Sequence, residues 1–407
     1  MGQDIRKPWR SAVRSADATR RRFWQWSVVL AVIIAAPAMP AGLEPQDSHG
    51  ASPVDSSSST ANQGAAPGKN GARGDLKRGF GLTGFPVAFA TPETGFGAGA
   101  GGILTYRRTS SAAERPQSLP AFAFYTVKRQ TLMVLAPELY LDDELWQIQI
   151  SLAYQKFPDS FYGIGNETPE DAEEDFTTRS FQVRPVFQRR IWDKLRAGVV
   201  YEYKRTTVLE TEEGGLLRRR AVAGHGGGDI SGIGPILNWD TRDNLFDPKN
   251  GVWFQYYAGF YQDRLGSRYD FQSHTVDLRR YAEIAQHTVL ALQLLAIERR
   301  GSVPFFELAP LGGNLRGIFA GRYMDRSAAM IQGELRYPIW KRFSGVVFVG
   351  AGDVAAGLDT YRIAHTKLAG GLGLRFLLNR SERLKIRFDI GASREGVETY
   401  FQFLEAF

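Results

Sequence analysis

An arginine held in a glycine-rich connection is the strongest chemical mark in this sequence. Leu315-Arg316-Gly317-Ile318 precedes a segment in which Gln332, Glu334 and Arg336 alternate with Ile331, Leu335, Tyr337 and Ile339. A guanidinium there serves ion pairing and bidentate hydrogen bonding. The other reactive groups assemble into no site. His225-Gly226-Gly227-Gly228, with Ser231 close by, could furnish the backbone donors of an oxyanion hole. An esterase also needs a G-x-S-x-G elbow between strand and helix, and none is present. His49, His225, His274, His287 and His365 show no metal-binding spacing. The cysteine count is zero, which removes thiolate ligands and nucleophiles. Glu173, Glu174 and Asp175 could hold divalent cations that bridge surface lipids, but such a run reads first as a solvated face. The expectation is a protein with no catalytic residue, no metal and no cofactor.

The elements that must position Arg316 are strands. From about Phe80 onward, segments of period two recur, each bounded by turn residues. They span 81–90, 95–107, 119–128, 130–142, 145–157, 177–190, 194–206, 231–240, 251–262, 269–282, 286–299, 327–339, 343–353, 367–378, 383–393 and 397–407. In one, Trp146, Ile148, Ile150, Leu152 and Tyr154 alternate with Gln147, Gln149, Ser151, Ala153 and Gln155. In others, Leu195, Ala197, Val199, Tyr201 and Tyr203 oppose Arg196, Glu202 and Lys204, and Leu384, Ile386, Phe388 and Ile390 oppose Lys385, Arg387 and Asp389. A soluble sandwich seldom keeps large apolar residues opposite so many charges over this many strands. A barrel with lipid outside and water inside requires that pattern, and its tilted strands need roughly 9–11 residues. The fold class expected is all-β, a closed antiparallel transmembrane β-barrel of about sixteen strands. If the first strand runs outward, the longest connections (158–176, 207–230 and 300–326) share one side. The other side has mostly short turns, segment 108–118 excepted.

Composition agrees. Of 407 residues, 43% are hydrophobic and 12% aromatic, and 44 are glycine. No apolar run long enough for a helical span follows the N-terminus. The formal charge of +7 is concentrated early. Seven Lys/Arg against Asp4 and Asp17 put +5 before residue 39 and leave the remainder near +2, which argues against nucleic acid. Residues 1–38 read as a cleaved signal peptide, with a basic region to Arg22, an apolar run over 26–36 and Ala36-Pro37-Ala38 as the cut. Thr19-Arg20-Arg21-Arg22-Phe23 has a twin-arginine look, but that route exports folded proteins. Residues 39–79, rich in Ser, Gly, Pro and Ala, bury too little apolar surface to offset ordering entropy and read as a disordered linker. The barrel is expected over 80–407. Phe401, Phe403 and Phe407 fall on one face of the final segment and are expected to face lipid as an assembly signal, with Glu405 an exception among them.

Several segments resemble the BamA/TamA family of bacterial outer-membrane surface-antigen barrels. Leu315-Arg316-Gly317-Ile318 is similar to its (V/I/L)-R-G-(F/Y) loop, with Ile318 at the aromatic position and Phe319 next. Asp240, Arg242, Asp243, Asn244, Pro248 and Gly251 match its D-x-R-D-N…P-x-x-G periplasmic turn. Ala90-Thr91-Pro92-Glu93-Thr94-Gly95 and Phe161-Tyr162-Gly163-Ile164-Gly165-Asn166 also resemble members that are nearly all barrel. The resemblance implies sixteen strands and a sixth extracellular loop folded into the lumen, where its arginine meets acidic side chains. Here that arginine is Arg316, and Glu334 and Asp389 are the candidate partners. The family's F-x-D-x-G strand reads Phe348-Val349-Gly350-Ala351-Gly352, with Gly350 in place of the aspartate. Members that insert or secrete proteins carry periplasmic POTRA domains before the barrel, where this sequence has the linker. The resemblance therefore implies a Gram-negative outer-membrane protein linked to protein or lipid assembly or translocation. A separate periplasmic partner would then supply delivery. Its surroundings would be outer-membrane lipid, lipopolysaccharide and the barrel assembly machinery. A passive pore is the alternative, with a lipid-modifying barrel enzyme a distant third.

Overall fold

The computed structural model describes residues 79–91, 95–107, 117–244, 247–379, 383–403 and 405–407. The signal peptide and all of the linker except Gly79 lie outside the described residues. So do segments 92–94 and 108–116. Gly79 already opens the first strand.

One antiparallel sheet contains seventeen strand segments. They make sixteen passes, because the fourth is interrupted. In order these are β1 (Gly79–Thr91), β2 (Gly95–Arg107), β3 (Gln117–Thr126), β4 (Thr131–Leu135 with Glu138–Leu141), β5 (Trp146–Phe161), β6 (Glu174–Trp192), β7 (Leu195–Thr211) and β8 (Gly227–Asp240). The second half is β9 (Gly251–Tyr261), β10 (Phe271–Ala285), β11 (Thr288–Gly301), β12 (Ser327–Trp340), β13 (Phe343–Ala355), β14 (Lys367–Asn379), β15 (Leu384–Ser393) and β16 (Gly396–Phe403). Each pairs with its sequence neighbours in a continuous meander. The break in β4 falls at Ala136-Pro137, where proline has no N–H to donate. The flanks stay tied through Ala136 N–H to the Pro120 oxygen and Ile150 N–H to the Pro137 oxygen. Among the described residues no helix is long and apolar enough to cross a membrane.

Burial is inverted relative to a soluble protein. On β12, Ile331 is 56% exposed while Glu334 is 1% exposed. On β14, Leu372 is 63% exposed and Arg375 fully enclosed. The hydrophobic effect would not leave such a belt in water; lipid must cover it.

β5, β6 and β7 have 16, 19 and 17 residues. That exceeds the membrane requirement, so they stand above the belt at the end with the long connections. The connections 162–173, 212–226 and 302–326 pack there into an apolar cap. Phe161, Phe176, Leu217, Ile230, Val303, Phe305 and Leu308 form its core. The Phe305 ring meets Phe161 and Phe176 edge-on at 5.5 and 5.4 Å. Contacts from connection 302–326 to elements far apart in the meander show that the sheet curls around it.

The final strand departs from expectation. β16 ends at Phe403, and residues 405–407 turn into the lumen. Phe407 is buried against Tyr281 and Ala291 of β10 and β11, not exposed to lipid. The physical reason is Glu405. Its carboxylate would be desolvated against lipid, and instead reaches Arg375 at 2.7 Å and Lys385 at 2.9 Å. The side chains of Phe401 and Phe403 lie outside the described residues.

Candidate functional site in the barrel lumen

The connection 302–326 enters the lumen from the cap. A single 3-10 turn (Phe305–Glu307) and a two-residue ladder, Ala309–Pro310 with Met324–Asp325, shape its neck. Beyond the neck the chain makes tight turns, with Leu315 N–H donating to the Leu311 oxygen and Ile318 N–H to the Leu315 oxygen. Leu311, Leu315 and Ile318 are almost fully enclosed, packed with Leu295, Met330, Val354 and Ala369 of the wall. This apolar grip is ordinary core packing placed inside a polar lumen. It holds the loop tip so that Arg316 has little freedom. Ile318, not Phe319, fills that core.

Close approach depends on glycine in the wall. A Cβ on Gly350 would lie 2.5 Å from Leu315, and one on Gly352 would lie 2.5 Å from Leu311. Gly317 has φ of 98°, and a Cβ on Gly391 would come 2.9 Å from its nitrogen. Backbone therefore meets backbone between loop tip and β15, a contact only glycine permits. Tyr400 completes the seat, its hydroxyl accepting the Gly317 N–H at 2.7 Å.

Within this seat the Arg316 guanidinium bridges two carboxylates. It donates to Glu334 at 2.6 Å and to Asp389 at 3.0 Å. Its face lies 3.9 Å from the centroid of the Phe348 ring. Arg316 is 5% exposed. Both acids serve further cations: Glu334 binds Arg336 at 2.6 Å, and Asp389 pairs with Arg375. The lumen thus holds a continuous network of Arg316, Arg336 and Arg375 with Glu334, Asp389 and Glu405. Charges that would be costly alone are neutralised by geometry.

The turn 241–250 closes the network toward the short-turn end. Asp240 and Arg242 form a bidentate pair at 2.8 and 2.9 Å, and both Arg242 and Arg279 face the Trp253 ring. Asp243 accepts the N–H groups of Lys249 and Asn250 and pairs with Arg383 at 3.1 Å. Asn244 accepts from Asp247 N–H at 2.9 Å. Gly251 has φ of 117°. The Pro248 oxygen accepts from Arg336 at 3.4 Å. Lys385 joins Asp247, at 2.8 Å, to Glu405, and Arg336 also donates to the Phe407 oxygen at 3.0 Å. The turn residues and the inward tail therefore meet around Lys385 and Arg336.

Sequence reasoning missed two anchors of the same loop. Arg322 donates to Thr168 at 2.6 and 2.9 Å and pairs with Glu395 at 3.1 Å, while its guanidinium stacks 4.0 Å over Tyr323. Glu307 takes Lys204 at 2.8 Å and Arg299 at 3.5 Å. Burial pushes the Glu307 carboxyl up, but Lys204 and Arg299 outweigh it and hold it below the usual carboxylate range. Neither residue has a distinctive neighbour pattern in the sequence. His225 contacts its own loop, at the Val222 oxygen, and the Ser231 hydroxyl is engaged by Tyr201, so the glycine run builds no oxyanion site.

The Omp85 superfamily domain matches residues 128–404. No match is found among curated proteins. Among solved structures, BamA from Haemophilus ducreyi lacking POTRA domains 1–3 superposes with a TM-score of 0.56 at 12% identity, over 80% of this chain and 70% of that one. CdiB from Acinetobacter baumannii superposes with a TM-score of 0.51 at 12% identity, over 81% of this chain. This chain spans 60% of the length of CdiB. At these identities the likeness is one of fold.

Proposed function

This chain belongs to the Omp85 superfamily, and we propose that it assists the insertion or translocation of protein or lipid at the outer membrane. A passive pore is the alternative reading, and the observation that favours assembly over it is the loop bridge. Arg316 is joined to both Glu334 and Asp389, and the connection that carries it occupies the lumen. A pore of constant conductance needs a free aqueous path. Here the loop tip and the inward tail both pack against the inner wall of the barrel.

The chemistry proposed is non-enzymatic. The lumen network is an array of arginines and carboxylates engaged with one another. Its physical surroundings are outer-membrane lipid and lipopolysaccharide, with the barrel assembly machinery acting on this chain during its own insertion. A periplasmic partner that delivers clients remains part of the proposal.

Two measurements on one proteoliposome preparation test it. Assembly of an unfolded outer-membrane barrel should proceed faster with this protein than in empty vesicles, and planar-bilayer recordings should show no steady open conductance. A steady ohmic pore without any acceleration of client folding would sink the assembly reading.

A further inference from the structure

We propose that two short-turn hairpins, closed by Ile191-Trp192 and Ile339-Trp340, each bind the headgroup of an anionic phospholipid in the adjoining leaflet. The hairpins join β6 to β7 and β12 to β13, so they stand six strands apart on the barrel.

They share a bulge and an exposed Ile-Trp pair, but their turns differ in charge: the first is Asp193-Lys194, the second Lys341-Arg342. The ladder shifts register just before each tryptophan, between Arg190 and Trp192 and between Pro338 and Trp340. A bulge breaks the two-residue alternation and lets consecutive side chains leave on the outer side. Ile191 and Trp192 are 54% and 78% exposed, and Ile339 and Trp340 are 55% and 61% exposed. Each turn carries an exposed lysine: Lys341 follows Trp340 directly, and Lys194 follows Trp192 after the exposed Asp193. Lys341 Nζ lies 4.5 Å from the centroid of the Trp340 ring.

An isoleucine and an indole side by side are out of place in water. At the boundary between hydrocarbon and headgroups each finds its medium, the isoleucine below and the indole at the interface. The Lys341 ammonium, held beside Trp340, stands at the level of lipid phosphates, and Lys194 sits in the corresponding turn of the other hairpin. A phosphatidylglycerol offers either lysine a net negative charge, whereas a phosphatidylcholine carries its own counter-cation. Attraction of interfacial basic residues to acidic lipid makes the charged headgroup the occupant of choice. A protein surface docking on the hairpins would require no such lipid preference. The inference rests on the barrel crossing a membrane and is independent of the assembly activity proposed above.

The test uses the full-length protein equilibrated with equal amounts of phosphatidylglycerol and phosphatidylcholine, with retained lipids counted by native mass spectrometry. The wild type should retain phosphatidylglycerol in preference. Combining Lys194→Gln with Lys341→Gln should reduce that preference roughly five- to tenfold, with the heat-modifiable folded band intact. Equal retention of the two lipids by the wild type, or an unchanged preference in the folded double variant, would overturn the proposal. A second readout needs no variant: brominated phosphatidylglycerol should quench wild-type tryptophan fluorescence at lower mole fraction than brominated phosphatidylcholine. Equal quenching by the two overturns it as well.

Discussion

Leu315 stands where a side chain on Gly350 would have to be, since a Cβ there would lie 2.5 Å from its Cδ1. The wall is notched for the loop at the position where the family motif carries an aspartate. Gly350→Asp should therefore displace Leu315 and loosen the loop tip, with an overpacking cost of about 1–3 kcal/mol. Protease digestion of the folded barrel reads this directly. Cleavage within 302–326 should rise several-fold, and an undisturbed digestion pattern would show that the notch has room to spare.

The Arg316 bridge should behave as a unit. Arg316→Ala leaves Glu334 and Asp389 short of a cation, and loss of one member of an enclosed pair costs about 3–5 kcal/mol. Combining Arg316→Ala with Glu334→Gln should cost less than the sum of the two single changes, because each removes the other's partner. Denaturant midpoints of the purified barrel give the comparison. Strict additivity would mean that lumen water already compensates both charges.

Phe407→Ala should destabilise the finished barrel as well as its assembly. The ring packs on Tyr281 and Ala291 inside the lumen, and removing an enclosed phenylalanine costs about 3–5 kcal/mol. A lower thermal midpoint of the folded fraction is the expected outcome. An unchanged midpoint with a reduced folded yield in membranes would instead restrict this residue to assembly.

Acid should release the neck of the loop. The Glu307 carboxyl is held below its ordinary value of 4.5 by Lys204 and Arg299. A depressed folded value means that its contribution is complete above the unfolded value and is lost as pH falls through the folded one. Hydrogen exchange in residues 303–310 should accelerate below that value at low pH, and Glu307→Gln should remove the pH dependence. Retention of the full acid response in Glu307→Gln would assign it to another group.

Deleting residues 45–75, with the signal kept, should leave the barrel folded. That stretch has almost no large apolar residues to pack, and the first strand begins at Gly79. Loss of the heat-modifiable form in membranes would make the segment structural, for instance as a lumen plug.

Strand number, strand order and the inside-out faces were legible because a strand has period two. Ile331 against Gln332, or Phe388 against Asp389, declares its face from local sequence alone. The Arg316 seat was legible only in outline, through the Leu-Arg-Gly-Ile motif and the parity of Glu334 and Asp389. Period two stops being informative where a chain leaves the ladder. The alternation of 401, 403, 405 and 407 placed Phe407 on the outer face, but the strand ends at Phe403 and the parity lapses.

The sequence by itself determined the sixteen passes, the apolar belt and which charges within the strands face inward, since each follows from contacts between near neighbours along a strand. Only the tertiary structure decided that Arg322 clamps Thr168 to Glu395, that Gly350 yields to Leu315, and that Glu405 draws Phe407 across the lumen to Tyr281. These relations join residues far apart in the chain that meet because the sheet curls. They are set by shape and by the cost of an unpaired buried charge, quantities that belong to the assembled lumen and to no segment of it.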